Sequence, residues 1–200
     1  MDKYAFKRMR DYTHKDFVDL VEKLTDEELL YFSNNFGGYP VFFRMALDER
    51  ICHIPFIQTG SAVIVRNEKG EILLQKRTDN GRWGLPGGCQ DLGENLKVTA
   101  IRELEEETGI KVDIDDLIAV DTLSGEDRKR MYPNGDIVYN NTSLFLVDVN
   151  SEDIDIKINS ESLVLEFRGL DDIPENMHDG DLIEAYIKYL NRLNESKKSR

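Results

Sequence analysis

The sequence has little cysteine, a single tryptophan, a shortage of cationic side chains and no long hydrophobic run. Cys52 and Cys89 are its two cysteines, and they lack metal-ligand spacing, so neither a disulfide framework nor a zinc site is expected. No apolar stretch approaches the roughly 18 residues that span a bilayer, and the N-terminus has no signal-peptide pattern. We therefore expect a cytoplasmic protein without a membrane partner.

Negative charge prevails, since 39 Asp and Glu residues against 26 Lys and Arg residues give a net charge of −13. A nucleic-acid backbone requires a basic protein face, so we expect no nucleic acid polymer as a partner. Hydrophobic residues make up 40% of the 200 residues, enough to bury one full core with a small appendage. An anionic substrate would need bound cations to reverse the local field.

The most informative stretch is residues 88–110, GCQDLGENLKVTAIRELEEETGI. Glu103, Glu106 and Glu107 stand at positions i, i+3 and i+4, which on an α-helix fall within an arc of roughly 100°. Carboxylates at this spacing repel one another, and hard cations such as Mg²⁺ (or Mn²⁺), which prefer oxygen ligands, relieve the repulsion. The stretch therefore predicts a helix that carries a divalent metal site and ends at Gly109.

The same stretch matches, without a gap, the pattern G-x(5)-E-x(7)-R-E-U-x-E-E-x-G-U, in which U is apolar, and so resembles the Nudix hydrolases. The matching residues are Gly88, Glu94, Arg102, Glu103, Leu104, Glu106, Glu107, Gly109 and Ile110. Two further segments, LLQKRTDNGRWGLPGG and YPNGDIVYN, are similar to segments of MutT-like and ADP-ribose-pyrophosphatase-like bacterial members. The resemblance covers residues 57–192 and implies an α/β fold, an α/β/α sandwich around a mixed sheet.

We place a domain boundary near residue 55. Residues 1–55 predict a helical N-terminal extension, and residues 56–195 the Nudix hydrolase domain. Strands are predicted at residues 61–65, 71–75, 115–121, 142–149 and 163–168, with a hairpin turn at 66–70 and an Asn-Gly turn within 132–136. A final helix is predicted from near Asp181 to about Asn194, followed by a frayed tail.

The resemblance implies roles for individual residues. Glu103, Glu106 and Glu107, with the carbonyl of Gly87, would hold Mg²⁺ ions that bridge the phosphates and activate a water. Arg102 and Glu94 would form a network that fixes these glutamates, although an ordinary surface ion pair is the alternative.

The general base stays open. Glu161 stands where the family often places a carboxylate from outside the signature, a solvated loop glutamate being the alternative. Glu126 and Glu152 are weaker candidates, and Glu103 or Glu106 could double in the role.

Substrate contacts are predicted at three positions. Arg77 would bind phosphate, Gly88 would lie against the substrate, and Trp83 would stack on a base unless it belongs to the core. Tyr132 and Tyr139 are interpreted as strand-edge packing that could line the pocket, and His178 as a surface or structural residue.

Three functions are compatible with the sequence. The favoured one is a metal-dependent pyrophosphohydrolase acting on a small-molecule nucleotide, a nucleoside diphosphate linked to another group such as ADP-ribose or a nucleotide sugar. The second is MutT-like hydrolysis of nucleoside triphosphates, and the third is a non-catalytic, ligand-sensing Nudix module. The N-terminal extension would cover the cleft or extend a dimer interface, which leaves a homodimer open.

Overall fold

The computed structural model describes Thr25, residues 55–132 and residues 136–198. The predicted N-terminal extension, residues 1–55, lies outside the described residues except for Thr25 and Pro55. The described ranges contain eight strands, two α-helices and two short 3₁₀ turns. The elements are β1 (Phe56–Arg66), β2 (Ile72–Arg77), β3 (Trp83–Gly84), β4 (Gly87–Cys89), α1 (Leu96–Thr108), the turn Ile114–Asp116, β5 (Ile118–Leu123), the turn Glu126–Arg128, β6 (Lys129–Met131), β7 (Ile137–Asp148), β8 (Ser162–Arg168) and α2 (Gly180–Lys198).

The strands form one mixed sheet, as predicted. Strands β1 and β7 run parallel over the whole length of β1, from Phe56 opposite Val138 to Arg66 opposite Asp148. The other pairings are antiparallel: β2 pairs with β1, β3 and β8, β4 pairs with β1, and β5 and β6 pair with β7. The site strand β4 is therefore held against the central strand of the sheet.

A hydrophobic core lies on each face of the sheet, because successive side chains of a strand point to opposite faces. From β1, Ala62 and Ile64 join the cluster that contains Leu182 and Tyr186 of α2. The alternate residues, Val63 and Val65, join the cluster that contains Ala100 and Leu104 of α1. The predicted α/β/α sandwich is thus confirmed.

Both ends of α1 are capped by residues of the motif itself. The Asn95 side chain accepts hydrogen bonds from the backbone N–H groups of Lys97 and Val98, which stabilises the first turn. Gly109 adopts a left-handed conformation with φ of 75° and donates its N–H to the Glu105 carbonyl. The helix predicted from residues 88–110 is confirmed, with Gly109 as its cap.

Several element boundaries differ from the predictions. The strand predicted at 115–121 begins only at Ile118, because Asp113 caps a 3₁₀ turn at Ile114–Asp116 instead. The final helix continues to Lys198, so residues 195–198, which were predicted to belong to a frayed tail, are helical. Among residues 55–132 and 136–198, neither α-helix has the length and apolar character that a bilayer crossing requires.

Candidate active site

The strand β4 and the helix α1 approach each other at Gly88. A Cβ atom on Gly88 would lie 2.5 Å from both the carboxyl carbon and Oε1 of Glu103, closer than non-bonded atoms can stand. Gly88 pairs with Ser61 of β1, so the sheet fixes its position. The glycine is therefore needed for space, because any side chain here would displace the Glu103 carboxylate.

Glu94, in the loop just before α1, holds the side chain of Arg102, which lies in the middle of that helix. The Arg102 guanidinium donates from Nε to Oε1 at 2.8 Å and from Nη2 to Oε2 at 3.1 Å. The same Oε2 accepts from the Thr99 hydroxyl at 2.9 Å and from the Asp91 N–H at 3.2 Å. Bonding to Arg102 lowers the pKa of Glu94 to about 2. This bidentate, partly buried arrangement is stronger than an ordinary surface ion pair.

Arg102 also reaches the predicted metal ligands. Its Nη1 donates to Glu103 Oε1 at 2.7 Å and to Glu106 Oε2 at 3.2 Å, and its Nη2 donates to the Cys89 carbonyl at 2.9 Å. One side chain thus joins the loop before α1, the strand β4 and two glutamates. The predicted network around Arg102 and Glu94 is present in this geometry.

Glu107 is the most buried of the three glutamates, at 3% exposure. Its Oε2 accepts the Gly87 N–H at 2.8 Å, and its Oε1 lies 3.5 Å from Gln75 Nε2. Burial raises the pKa of Glu107 to about 7, with a further contribution from the nearby Glu103, although the Gly87 N–H opposes the shift. Burial also raises the pKa of Glu103, against the effect of Arg102. A bound cation would stabilise both carboxylates in their charged form.

A cavity of about 480 Å³ brings these residues together. Seven of the predicted site residues line it: Arg77, Gly87, Gly88, Glu103, Glu106, Glu107 and Glu161. Carboxylate oxygens are the donors that Mg²⁺ and Mn²⁺ prefer, so the residues present fit such an ion.

The glutamates are turned to protein partners in this conformation. No three His, Cys, Asp or Glu side chains within residues 55–132 and 136–198 converge closely enough to hold a metal ion. Arg102 engages Glu103 and Glu106, and the Gly87 N–H engages Glu107. If Glu103, Glu106 and Glu107 are all to bind one metal ion, their side chains must therefore rotate, and the exposed Glu106 has room to do so.

Comparison with known proteins decides the family. Residues 57–186 match the family model described as the NUDIX domain. The chain belongs to the Nudix family. Residues 88–110 are accordingly its Nudix box, and α1 is the helix of that box.

Individual relatives agree with this assignment. A MutT-like protein of Streptomyces ambofaciens is 42% identical over 66 residues, which cover 33% of this chain and 43% of that protein. An ADP-ribose pyrophosphatase of Methanocaldococcus jannaschii is 30% identical over 125 residues, 60% of this chain and 68% of that protein. The chain thus spans less than half of the first relative and about two thirds of the second.

Among solved structures, the MutT NUDIX hydrolase from Burkholderia pseudomallei is similar, with a TM-score of 0.53 and 25% identity. The similarity covers 65% of this chain and 96% of that one.

Outside the Nudix box, Arg77 and Glu161 come to the cavity from β2 and from the residue before β8. Arg77 is held by Asp79 through two hydrogen bonds of 3.0 Å, which fix its guanidinium at the cavity. Asn159 donates to the Glu106 carbonyl at 2.9 Å and accepts the Glu161 N–H at 2.8 Å. The Glu161 loop is thereby tied to the box helix. Glu126 and Glu152, the weaker base candidates, are not among the residues that line the cavity.

Trp83 does not lie in the cavity. Its side chain is 8% exposed and belongs to the hydrophobic cluster beneath α2. The Arg168 guanidinium lies 4.9 Å from the ring centroid, and Lys76 Nζ lies 5.9 Å from it. The prediction that Trp83 stacks on a base is wrong, because the ring is enclosed by the core and by these cations; the alternative core interpretation holds.

The sequence analysis missed most of a second group of cavity residues, which we call the β7 wall. Its members are Arg128, Tyr132, Asn140, Thr142, His178 and Asp179. Tyr132 was considered for the pocket, whereas His178 was interpreted as surface or structural. The sequence signal here was weak. Asp179 directly precedes α2 and indicates only a helix start, and the other members are isolated residues in turns and strands.

Proposed function

We propose that this Nudix protein is a metal-dependent pyrophosphohydrolase that cleaves the diphosphate of a nucleoside diphosphate linked to another group, as in ADP-ribose or a nucleotide sugar. The observation that carries the proposal is that the three predicted metal ligands of the box line one cavity together with Arg77 and Gly88. Of the two relatives described above, the one from Methanocaldococcus jannaschii has the longer matching stretch; it is named an ADP-ribose pyrophosphatase and supports this substrate class.

The chain's own residues would divide the work. Glu103, Glu106 and Glu107 would hold a Mg²⁺ or Mn²⁺ ion, which would neutralise phosphate charge and make water more acidic. Arg77 binds a phosphate oxygen through its guanidinium, which Asp79 holds in place. Arg102 acts as a positioning residue, because it fixes the Glu103 and Glu106 carboxylates without needing to touch the substrate.

Glu161 is our choice for the proton acceptor. Arg102 donates hydrogen bonds to Glu103 Oε1 and Glu106 Oε2, so these two oxygens are already occupied and are less available to accept a proton from water. Glu161 lies outside this network and lines the same cavity. Burial is the main cause that raises the pKa of Glu107 and Glu103, and the charge of Glu161 adds a smaller contribution. A box glutamate that doubles as base remains the alternative.

The second candidate is MutT-like hydrolysis of nucleoside triphosphates. The Streptomyces ambofaciens relative favours it, since that protein is named MutT-like and its matching stretch has the higher identity of the two relatives. The two activities share the metal and the box glutamates, so they differ only in what surrounds the phosphates. A non-catalytic sensor is less consistent with a box that retains every glutamate.

The test is a substrate panel run with the wild type and E107Q. ADP-ribose, nucleotide sugars, dinucleoside polyphosphates and (d)NTPs are incubated with Mg²⁺ or Mn²⁺, and the nucleotide products are separated and quantified by anion-exchange chromatography. Cleavage of a linked diphosphate yields two phosphate monoesters, and cleavage of a triphosphate yields a monophosphate and pyrophosphate. E107Q should lower kcat about 100-fold or more, because it removes a charged ligand from the centre of the site.

E105Q is the matched control, because Glu105 lies on the same helix but pairs with Lys111 at the surface. It should retain wild-type turnover. An E107Q protein that is folded and as active as the wild type on every accepted compound would overturn the assignment of this site.

A further inference from the structure

The proposed hydrolysis does not use the β7 wall. We propose that this wall binds the group carried by the diphosphate, through hydroxyl or amino hydrogen-bond donors of the substrate, with Asp179 as the contacting residue and Arg128 as the residue that positions it. The inference rests on the proposed function, since it identifies what the same cavity recognises beyond the phosphates.

Arg128 is a buried charge whose partners come from three places. Its side chain is 3% exposed, and Nη1 donates to Asp181 Oδ2 at 2.5 Å and to Asp179 Oδ1 at 3.3 Å. Its Nη2 donates to the Thr142 hydroxyl of β7 at 3.0 Å. Its Nε is buried and has no hydrogen-bond partner in the part of the chain that the structure describes. Leaving a donor of a buried cation unpaired is costly, which points to a built site rather than a chance ion pair.

The charge of the wall argues against a phosphate ligand. Two aspartates already oppose Arg128, whereas a phosphate site offers cationic donors in excess. Arg77, by contrast, lies near the predicted metal ligands, and among the described residues Asp79 is the one aspartate that bonds it. The cavity therefore has a phosphate end at Arg77 and the box, and a charge-balanced end at the β7 wall. A neutral group that donates hydrogen bonds suits the second end.

Asp179 is the acceptor with capacity left. Its carboxylate accepts from Arg128 at 3.3 Å, and the nearest atoms of Arg130 and His178 stand at 3.6 Å and 3.7 Å. An ionised carboxylate offers about four acceptor sites. Asp181, by contrast, takes the short 2.5 Å bond from Arg128 and is not among the lining residues. Asp179 is thus both placed at the cavity and incompletely bonded.

A purely structural role for Asp179 is the competing explanation. The residue directly precedes α2, and its carbonyl accepts the Leu182 N–H at 3.1 Å, as expected at a helix start. Asparagine serves as well as aspartate at such a position. D179N therefore keeps the helix start and removes only the charge, so it separates the two explanations.

The experiment measures binding without turnover. Calorimetry with Mg²⁺ compares the wild type and D179N for methylenediphosphonate, α,β-methylene-ADP and α,β-methylene-ADP-ribose. We expect D179N to weaken at least one nucleoside-containing ligand by about tenfold or more, because a hydrogen bond to a charged group is lost. Binding of methylenediphosphonate, which is too short to reach beyond the phosphates, should change less than twofold.

The ligands also distinguish the two sources of donors. A loss already present with α,β-methylene-ADP assigns the wall to the nucleoside, and a loss confined to the ADP-ribose analogue assigns it to the distal sugar. D121N is the matched control, since Asp121 is exposed and pairs distantly with Arg192. Three results would overturn the proposal. The first is that the wild type and D179N bind both nucleoside ligands with equal affinity, and the second is that D179N loses as much affinity for methylenediphosphonate as for the nucleoside ligands. The third is that the wild type binds neither nucleoside ligand.

A second variant tests the positioning role. R128K keeps the charge but loses the planar fork, so KM should rise about tenfold while kcat stays within about threefold. A fall in kcat with unchanged KM would contradict positioning. If R128K does not fold, D179N still decides the proposal. A wild type that binds the analogues through Asp179 yet hydrolyses nothing would refute the proposed function and leave this inference standing.

Discussion

The ion pair between Glu94 and Arg102 gives a prediction whose size can be worked from the structure. The pKa of Glu94 falls from 4.5 to about 2, because Arg102 and Thr99 bond its charged form. A shift of this size corresponds to about 3 kcal/mol, and solvent screening of a pair near the surface reduces it to about 1–2 kcal/mol. E94Q should lower the free energy of unfolding by that amount at pH 7.

The pH dependence of this loss follows from the direction of the shift. A carboxylate with a lowered pKa stabilises the fold fully above its unfolded value of about 4.5, and the contribution is lost as the pH falls towards 2. The difference between the wild type and E94Q should therefore shrink by about half or more at pH 3. Urea denaturation with EDTA at pH 7 and pH 3 measures both values.

E105Q again serves as the control, because the Glu105 pair with Lys111 is exposed, and its loss should leave the free energy of unfolding unchanged at either pH. An E94Q difference that is the same at pH 7 and pH 3 would refute the electrostatic explanation. Activity provides a second readout. Without Glu94, the remaining partners of Arg102 include Glu103, Glu106, the Cys89 carbonyl and, at 3.9 Å, Asp91. Arg102 then competes better with the metal for the two glutamates, and half-maximal activity should require more Mg²⁺.

Three further substitutions test single residues of the cavity and its surroundings. G88A should lower kcat about 100-fold, because the added Cβ displaces the Glu103 carboxylate. If a Mg²⁺ titration of turnover by G88A gave the same constants as the wild type, this explanation would be contradicted. R77K should raise KM about tenfold with little change in kcat, since lysine cannot replace the guanidinium fork, and an unchanged KM would remove Arg77 from the phosphate end. W83F should cost about 1–2 kcal/mol of stability in thermal unfolding while KM stays constant, whereas a raised KM on a stable protein would restore Trp83 to the site.

The part of the site that could be predicted is the part that is contiguous in sequence. The box glutamates repeat with the period of a helix, and Gly109 carries the signal of a helix end, so spacing alone placed them on one face. Even there the reason for Gly88 was hidden, because its constraint comes from the Glu103 carboxylate, fifteen residues on and against it in space. The sequence pattern contains Gly88 but does not show which contact requires a glycine there.

The β7 wall could not be predicted, because its residues are brought together only by tertiary structure. Arg128 ends a 3₁₀ turn, Thr142 lies in β7 and Asp179 precedes α2, and no period relates them. Trp83 could not be assigned from the sequence for a similar reason. Tryptophan suits both a stacking platform and a core, and the choice depends on Arg168 and α2, which pack over it from distant parts of the chain.

The parallel pairing of β1 with β7 has a consequence for how the protein is made. Arg66 and Asp148, which join the ends of the two strands, are 82 residues apart along the chain. At a synthesis rate of 5–20 residues per second, β1 would wait about 4–16 s for its partner after leaving the ribosome. Throughout that time its run of Val63, Ile64 and Val65 would lack the neighbour that later buries it. The nascent chain is therefore expected to need protection from aggregation until β7 has been synthesised.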